Sequence, residues 1–241
     1  MKYSLKTDKG MYRTLNEDSC FAGSPAENTC FAVVCDGMGG ANAGEVASAL
    51  ATETVSQRVL AGWRKSISSA SVENLLTSAI SAANICVFDE AISDNTKKGM
   101  GTTLVAAAVT NEFCVIAHAG DSRAYLLRQV LSLITHDHSY VQMLVDSGMI
   151  SEKEAFDHPQ KNYITRALGI GEHIEIDFSE FSVFPGDKIL LCSDGLTNFV
   201  SEEDIFRILS ENDTDTAVEM LVDTANANGG GDNITAVVIS V

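Results

Sequence analysis

Five uninterrupted apolar runs constrain this chain more than any other feature: FAVVC (31–35), TLVAAAV (103–109), FCVIAHA (113–119), KILLCS (188–193) and ITAVVISV (234–241). Each is too short for a typical helix and rich in β-branched residues, so each reads as a strand. Successive side chains of a strand point to opposite faces. A strand with no polar alternation must therefore be covered on both sides. The segment TDKGMYRTLNEDSCFAG (7–23) predicts an amino-terminal pair of strands, and SRAYLLRQVLSLIT (122–135) a hairpin-like pair.

Helical spacing is clearest between Val72 and Ile92, where Leu76, Ala79, Ile80, Ala83, Val87 and Ala91 fall on one stripe. A second helix is predicted to begin near Asn42 as N-cap and to carry Val46, Leu50, Val55 and Val59. Ser201 with Asp204 opens a third, and Ala217 to Ala225 forms a last one, stopped by Gly229, Gly230 and Gly231. Two long helices follow one strand and two more precede the final strand. That block order disfavours a parallel, strictly alternating fold and favours an α+β class of antiparallel sheets packed together with helix pairs outside. From 137 to 171 the apolar pattern breaks into polar pieces, with a capping box at Ser151 and Glu154; this predicts an inserted flap of short helices. No repeat or linker interrupts residues 1–241, so one domain is expected.

Composition narrows the function. The net charge of −17, from 33 acids against 16 bases, argues against nucleic-acid binding, which depends on basic patches. No apolar run approaches the roughly 18 residues of a membrane helix, and the amino terminus lacks a signal-peptide core, so no membrane partner is expected. The six cysteines are scattered and mostly inside apolar runs, which predicts reduced thiols and a cytoplasmic setting.

The chemistry is carried by aspartates at strand ends. FAVVC leads into Asp36, VIAHAG into Asp121 and LLCS into Asp194, while Asp232 precedes the last strand. All stand beside or near glycine. One Asp-Gly after a strand is an ordinary turn; four, joined by the acidic stretch RTLNED, predict a shared site if the last strand runs antiparallel to its neighbours. Two carboxylates about 4 Å apart repel by roughly 4 kcal/mol at an effective dielectric near 20. Of the basic residues, only Arg13, Arg123 and Arg166 lie in these glycine-marked segments. An all-oxygen set suits hard divalent ions such as Mg²⁺ or Mn²⁺. Without a side chain at Gly37, its carbonyl can approach an ion.

The stretches MYRTLNEDS, CDGMGGANAGEVAS, GMGTTLVAAAV, AHAGDSRAYLL, ITHDHSYVQML, ITRALG, ILLCSDGLTN and GGGDNITAVVI resemble, in order, the motifs of the metal-dependent Ser/Thr protein phosphatases of the 2C type, in their compact bacterial form. The resemblance implies a four-layer αββα sandwich with two Mg²⁺ or Mn²⁺ ions, and in some relatives a third, between the sheets. It implies that Asp36 bridges two ions, the Gly37 carbonyl binds one, and Asp194 and Asp232 complete the other. Glu17 or Asp18 would hold the second ion directly or through water, Asp121 with Asp194 would host a third, and Arg13 would bind the substrate phosphate. The implied reaction is hydrolysis of phosphoserine and phosphothreonine proteins by direct attack of a hydroxide held between two ions, opposing a Ser/Thr kinase, by a monomer. The histidine that follows Asp-Gly in eukaryotic relatives is replaced by Met38, which removes one candidate general acid. His118 and His138 are rivals, although His118, inside a strand, reads as a core histidine, and His136 and His158 as flap-surface residues.

Other phosphatase chemistries fail on inspection. A cysteine phosphatase needs Arg six positions after its Cys, where Cys192 has Asn198 and Cys35 has Ala41. An aspartyl-phosphate enzyme wants a second Asp where Met38 stands, and GDSRAY lacks the final acid of GDxxD. The pair His136 and His138 mimics a zinc motif without its remaining ligands. The alternative from another class is a non-catalytic phosphoprotein-binding or regulatory module on the same fold.

Overall fold

The computed structural model describes residues 1–38 and 43–241. One antiparallel sheet has the order β1-β11-β10-β7-β8, from β1 (Lys2–Asp8), β7 (Arg123–Leu127), β8 (Leu131–Leu133), β10 (Lys188–Cys192) and β11 (Ile234–Ser240). The other has the order β2-β3-β5-β6-β9, from β2 (Asp18–Gly23), β3 (Cys30–Met38), β5 (Leu104–Val109), β6 (Phe113–Ala119) and β9 (Asp177–Ser182). The two-residue β4 (Gly101–Thr102) pairs with the end of β3. Helices α1 (Gly44–Gly62) and α2 (Ser69–Ser93) cover the second sheet. α5 (Asp194–Thr197), α6 (Glu202–Glu211) and α7 (Thr214–Ala227) cover the first.

Strand alternation explains the apolar runs. In β3, Phe31, Val33 and Cys35 face α1 and α2, while Cys30, Ala32 and Val34 join Val105, Ile116, Leu191 and Val237 between the sheets. In β10, Leu190 and Cys192 face the α6–α7 layer, and Ile189 and Leu191 face the other sheet. Both faces of each central strand are therefore core, and the result is the expected four-layer α+β sandwich.

Several local expectations shift. The two amino-terminal strands exist, but β1 begins at Lys2 and pairs with β11, whereas β2 pairs with β3 in the other sheet. The intervening 9–17 segment thus crosses between sheets rather than closing a hairpin. On α1 the deepest residues are Ala47, Ala51, Val55 and Val59, with Val46 and Leu50 only partly buried, because a helix lying close on a sheet favours small side chains at the contact. The proposed cap Asn42 lies outside the described residues. The edge strand β9 and the short α5 carry too weak a pattern to be read beforehand. α2 is longer and more apolar than expected: one 18-residue window has a mean hydropathy of 1.4, enough by length and composition to span a membrane. Its stripe from Val72 to Ala91 is nevertheless packed in the core. Ile85, Cys86 and Ile92 on its outer face, with few charges, raise the average.

Segment 137–171 holds α3 (Tyr140–Asp146) and α4 (Glu152–Phe156), the latter with the expected Ser151–Glu154 capping box. Its ends are drawn together by the Ser139–Ile164 bridge and by hydrogen bonds from the Tyr140 amide to the Tyr163 carbonyl and from the Thr165 amide to the His138 carbonyl, each 2.7 Å. Leu191 is fully buried between the sheets. Leu191→Ala is expected to lower the unfolding free energy by about 2–5 kcal/mol through lost burial and a residual cavity, as urea denaturation would measure.

Candidate metal centre

The strand ends converge. Antiparallel pairing of β10 with β11 brings the entry of β11 beside the exit of β10, so Asp232 arrives next to Asp194. Pairing of β2 with β3 sets Asp18 directly opposite Asp36. A pocket between the two sheets is lined by Arg13, Glu17, Asp36, Gly37, Asp121, Asp194 and Asp232, together with Met38, Thr103, Asn162, Ile164 and Asn233. Every sequence-predicted site residue except Asp18 lines it.

Asp36 is fixed through its backbone. Its amide donates to the Thr103 hydroxyl at 3.0 Å, and its carbonyl accepts from the Thr103 amide and the Thr102 hydroxyl, both at 2.9 Å. The Thr103 hydroxyl also lies 2.7 Å from that of Ser122, which follows Asp121. The backbone of Asp36 and the residue after Asp121 thus meet at one threonine. On the other side, the Asn233 side-chain oxygen accepts from the Glu17 amide at 2.8 Å, and its NH₂ donates to the carbonyls of Lys9 and Leu15.

Glycine also serves this site through close backbone approach. A Cβ at Gly37 would stand 2.1 Å from the Gly44 carbonyl oxygen and 2.5 Å from that of Glu17, so its first duty is to let α1 and the Glu17 segment press against β3. A Cβ at Gly195 would lie 1.9 Å from the Asn233 carbonyl oxygen. Glycine there permits the Asp194 turn to meet the Asp232 turn.

The electrostatics show what the cluster lacks. Burial, then Asp18, Asp194, Asp121 and Asp232, push the Asp36 carboxyl well above its ordinary range. Burial followed by Asp194 raises Asp121 to about 8, burial followed by Asp232 raises Asp194 to about 6, and burial raises Asp18 to about 7 against two hydroxyl hydrogen bonds. Burial also raises Glu17, with Arg13 opposing. Such groups keep protons unless cations replace them. Among the described residues Arg13 is the one cation in the pocket, its guanidinium 2.9 Å from the Asp232 carboxylate. Arg123 is held by Asp137, and Arg166 by Asp177 and Glu175.

Asp18 sits behind the pocket. Its Oδ2 accepts from the Ser193 and Thr235 hydroxyls, both at 2.7 Å, while its Oδ1 is buried with no partner. An orphaned carboxylate oxygen among buried acids fits a cation or its water, so the donor set fits hard divalent ions. Sequence reading missed Thr103, Ser193, Asn233 and Thr235. Their one signal is a polar side chain inside or flanking an apolar run.

The histidine rivals are occupied elsewhere. His118 Nε2 is 2.9 Å from the His136 carbonyl. The Gly120 amide donates to His138 Nδ1 at 3.1 Å, so Nε2 carries the proton and donates to Asp177 at 3.1 Å. Burial lowers the His138 pKa, consistent with this neutral ring. Ligand atoms of His118, His138 and Asp177 lie within 4.8 Å of one another. The Arg166 guanidinium, 2.6 Å from Asp177 and 3.0 Å from His138 Nε2, already supplies the positive charge there.

Comparison with known proteins identifies the family. The family model described as Protein phosphatase 2C matches residues 12–225. The serine/threonine phosphatase stp of Listeria monocytogenes is 38% identical over 99% of this chain and 95% of its own. The serine/threonine phosphatase Stp1 from Staphylococcus aureus superposes with a TM-score of 0.92 at 37% identity, over 100% of this chain and 94% of that one. The catalytic domain of PstP, solved in complex with two manganese ions, gives 0.86 at 35% identity, over 98% and 96%. The chain belongs to the protein phosphatase 2C family.

A pH prediction follows from the raised carboxyls. The folded chain binds protons more tightly than the unfolded one, so this contribution to stability is fully present below the unfolded value of about 4 and is lost as pH rises through the folded values. Those run from about 6 for Asp194 to about 8 for Asp121. In chelator, the thermal midpoint should fall between pH 5 and 8, and millimolar Mn²⁺ should raise it more at pH 8 than at pH 5. Calorimetry across that range measures both.

Proposed function

We propose that this protein is a phosphoprotein phosphatase acting on phosphoserine and phosphothreonine, with two Mg²⁺ or Mn²⁺ ions and room for a third. The observation that supports it best is the buried Asp36 carboxylate, with Asp18, Asp121, Asp194 and Asp232 around it and one arginine to offset them. Asp36, the Gly37 carbonyl, Asp194 and Asp232 would hold the core ions, Glu17 or Asp18 would complete one of them directly or through water, and Asp121 with Asp194 would hold the third. When bound, such ions supply positive charge to the phosphate and lower the pKa of water toward neutrality.

The chain's own residues orient the reaction. Arg13 is half exposed at the pocket mouth, and its planar guanidinium can exchange one carboxylate oxygen of Asp232 for a phosphate oxygen. Thr103 and Asn233 hold the backbone of Asp36 and Glu17, so that the acids need not reorganise when substrate arrives. Met38 lines the pocket and offers no proton, and His118 and His138 do not line it. The leaving oxygen is therefore protonated by water rather than by a side chain at these positions. Residues 1–241 act as one catalytic domain with 137–171 as the flap, working as a monomer opposite a Ser/Thr kinase. Six free cysteines, four of them buried, support a cytoplasmic setting.

Hydrolysis of a phosphoserine, phosphothreonine and phosphotyrosine peptide panel, with and without Mn²⁺, tests the class. Metal-dependent turnover of the first two is expected; turnover unaffected by chelation sinks the proposal. Asp36→Asn should abolish that turnover and at the same time raise the thermal midpoint of the metal-free protein at pH 8, because it removes the cost of burying a carboxyl that is freely ionised in the unfolded chain. Arg13→Ala should lower kcat/KM about 10- to 100-fold, the loss of a charged hydrogen bond worth about 1.5–3 kcal/mol.

A further inference from the structure

We infer that the cleft beside the metal centre selects basic side chains flanking the phosphorylated residue, through Glu152 and Glu202; this rests on the phosphatase reading. The cleft, about 440 Å³, runs from Asp121 and Asp194, which it shares with the metal pocket, out between the flap and the α5–α6 segment. A peptide whose phosphate lies at the ions must lay a neighbouring stretch along this groove or turn away from it.

The charges in the groove differ in their freedom. Asp137 is tied to Arg123 by a two-pronged pair, Nε to Oδ1 at 2.9 Å and Nη2 to Oδ2 at 2.7 Å, so these cancel. Asp121 and Asp194 belong to the ions. Lys161 sits over the Phe156 ring, its Nζ 5.0 Å from the centroid. What remains is Lys161, whose positive charge the ring leaves intact, against two acids: Glu152, at the start of α4 on the flap wall, and Glu202, at the start of α6 on the opposite wall. Both are exposed, and among the described residues neither carboxylate takes a hydrogen bond or ion pair. Each suits its helix amino terminus, and that alone explains an acid at either place. It does not explain why both line one groove that leads to the reaction centre. Charge complementarity across such a rim steers and selects partners.

The experiment uses the intact protein with Mn²⁺ and two fluorescein-labelled phosphothreonine peptides that differ only in Arg or Glu on both sides of the phosphorylated residue. The Arg peptide should show about tenfold higher kcat/KM, with the gap compressed in 0.5 M salt. Glu152→Lys combined with Glu202→Lys should reverse the order while leaving p-nitrophenyl phosphate turnover unchanged. Equal rates for the two peptides, or an order that survives the double substitution, overturn the inference. Absence of p-nitrophenyl phosphate turnover in the unsubstituted protein would instead overturn the phosphatase reading. In that event peptide binding by fluorescence anisotropy still reads the groove: tighter binding of the Arg peptide upholds the selection, and equal binding ends it.

Discussion

Buried carboxylates that repel one another at the seam between two sheets are the constraint on which the rest depends. Asp36 is enclosed by apolar strands and faces four other acids. No packing gain offsets such an arrangement by itself, because moving charge out of water costs several kcal/mol per ion in a real protein. The surrounding sandwich is what holds the acids in place. Each central strand is buried on both faces, so the ends of β3, β10 and β11 cannot retreat from one another without opening a core.

Holding the acids also requires close backbone approach. Glycines 37 and 195 are two of the points at which one backbone segment touches another, with no room for a side chain. Hydroxyls and an amide then fix the geometry: Thr103 ties Asp36 to Ser122, Ser193 and Thr235 orient Asp18, and Asn233 ties the amino-terminal crossover to the entry of β11. These polar groups sit in or beside apolar runs, where an unpaired hydroxyl is costly and a paired one is specific. The site is thus built from the same strands that build the core, and stability is exchanged for a cluster of acids whose repulsion cations would offset.

The flap has a different character. Its ends are pinned at Ser139 and Ile164, and the buried His138, joined to the Gly120 amide and to Asp177, anchors its base beside Asp121. Its outer part carries exposed Met143, Met149, Phe156 and Tyr163. Buried hydrogen bonds thus tie the root of the segment beside the acids, and its outer part presents apolar side chains to solvent.

The sequence by itself determined which segments are the central strands and that they are covered twice, since an apolar run without alternation admits no solvated face. It also marked Asp36, Asp121, Asp194 and Asp232, because a carboxylate ending such a run is conspicuous. Tertiary structure alone decided that β1 and β2 part into different sheets, that Asp18 stands behind the pocket with one oxygen orphaned, and that Arg123 and Arg166 are tied to acids outside it. Periodicity is a property of neighbouring residues and survives in the sequence. Which strand lies beside which, and which oxygen is left without a partner, depends on contacts between residues more than two hundred positions apart, and no local pattern encodes them.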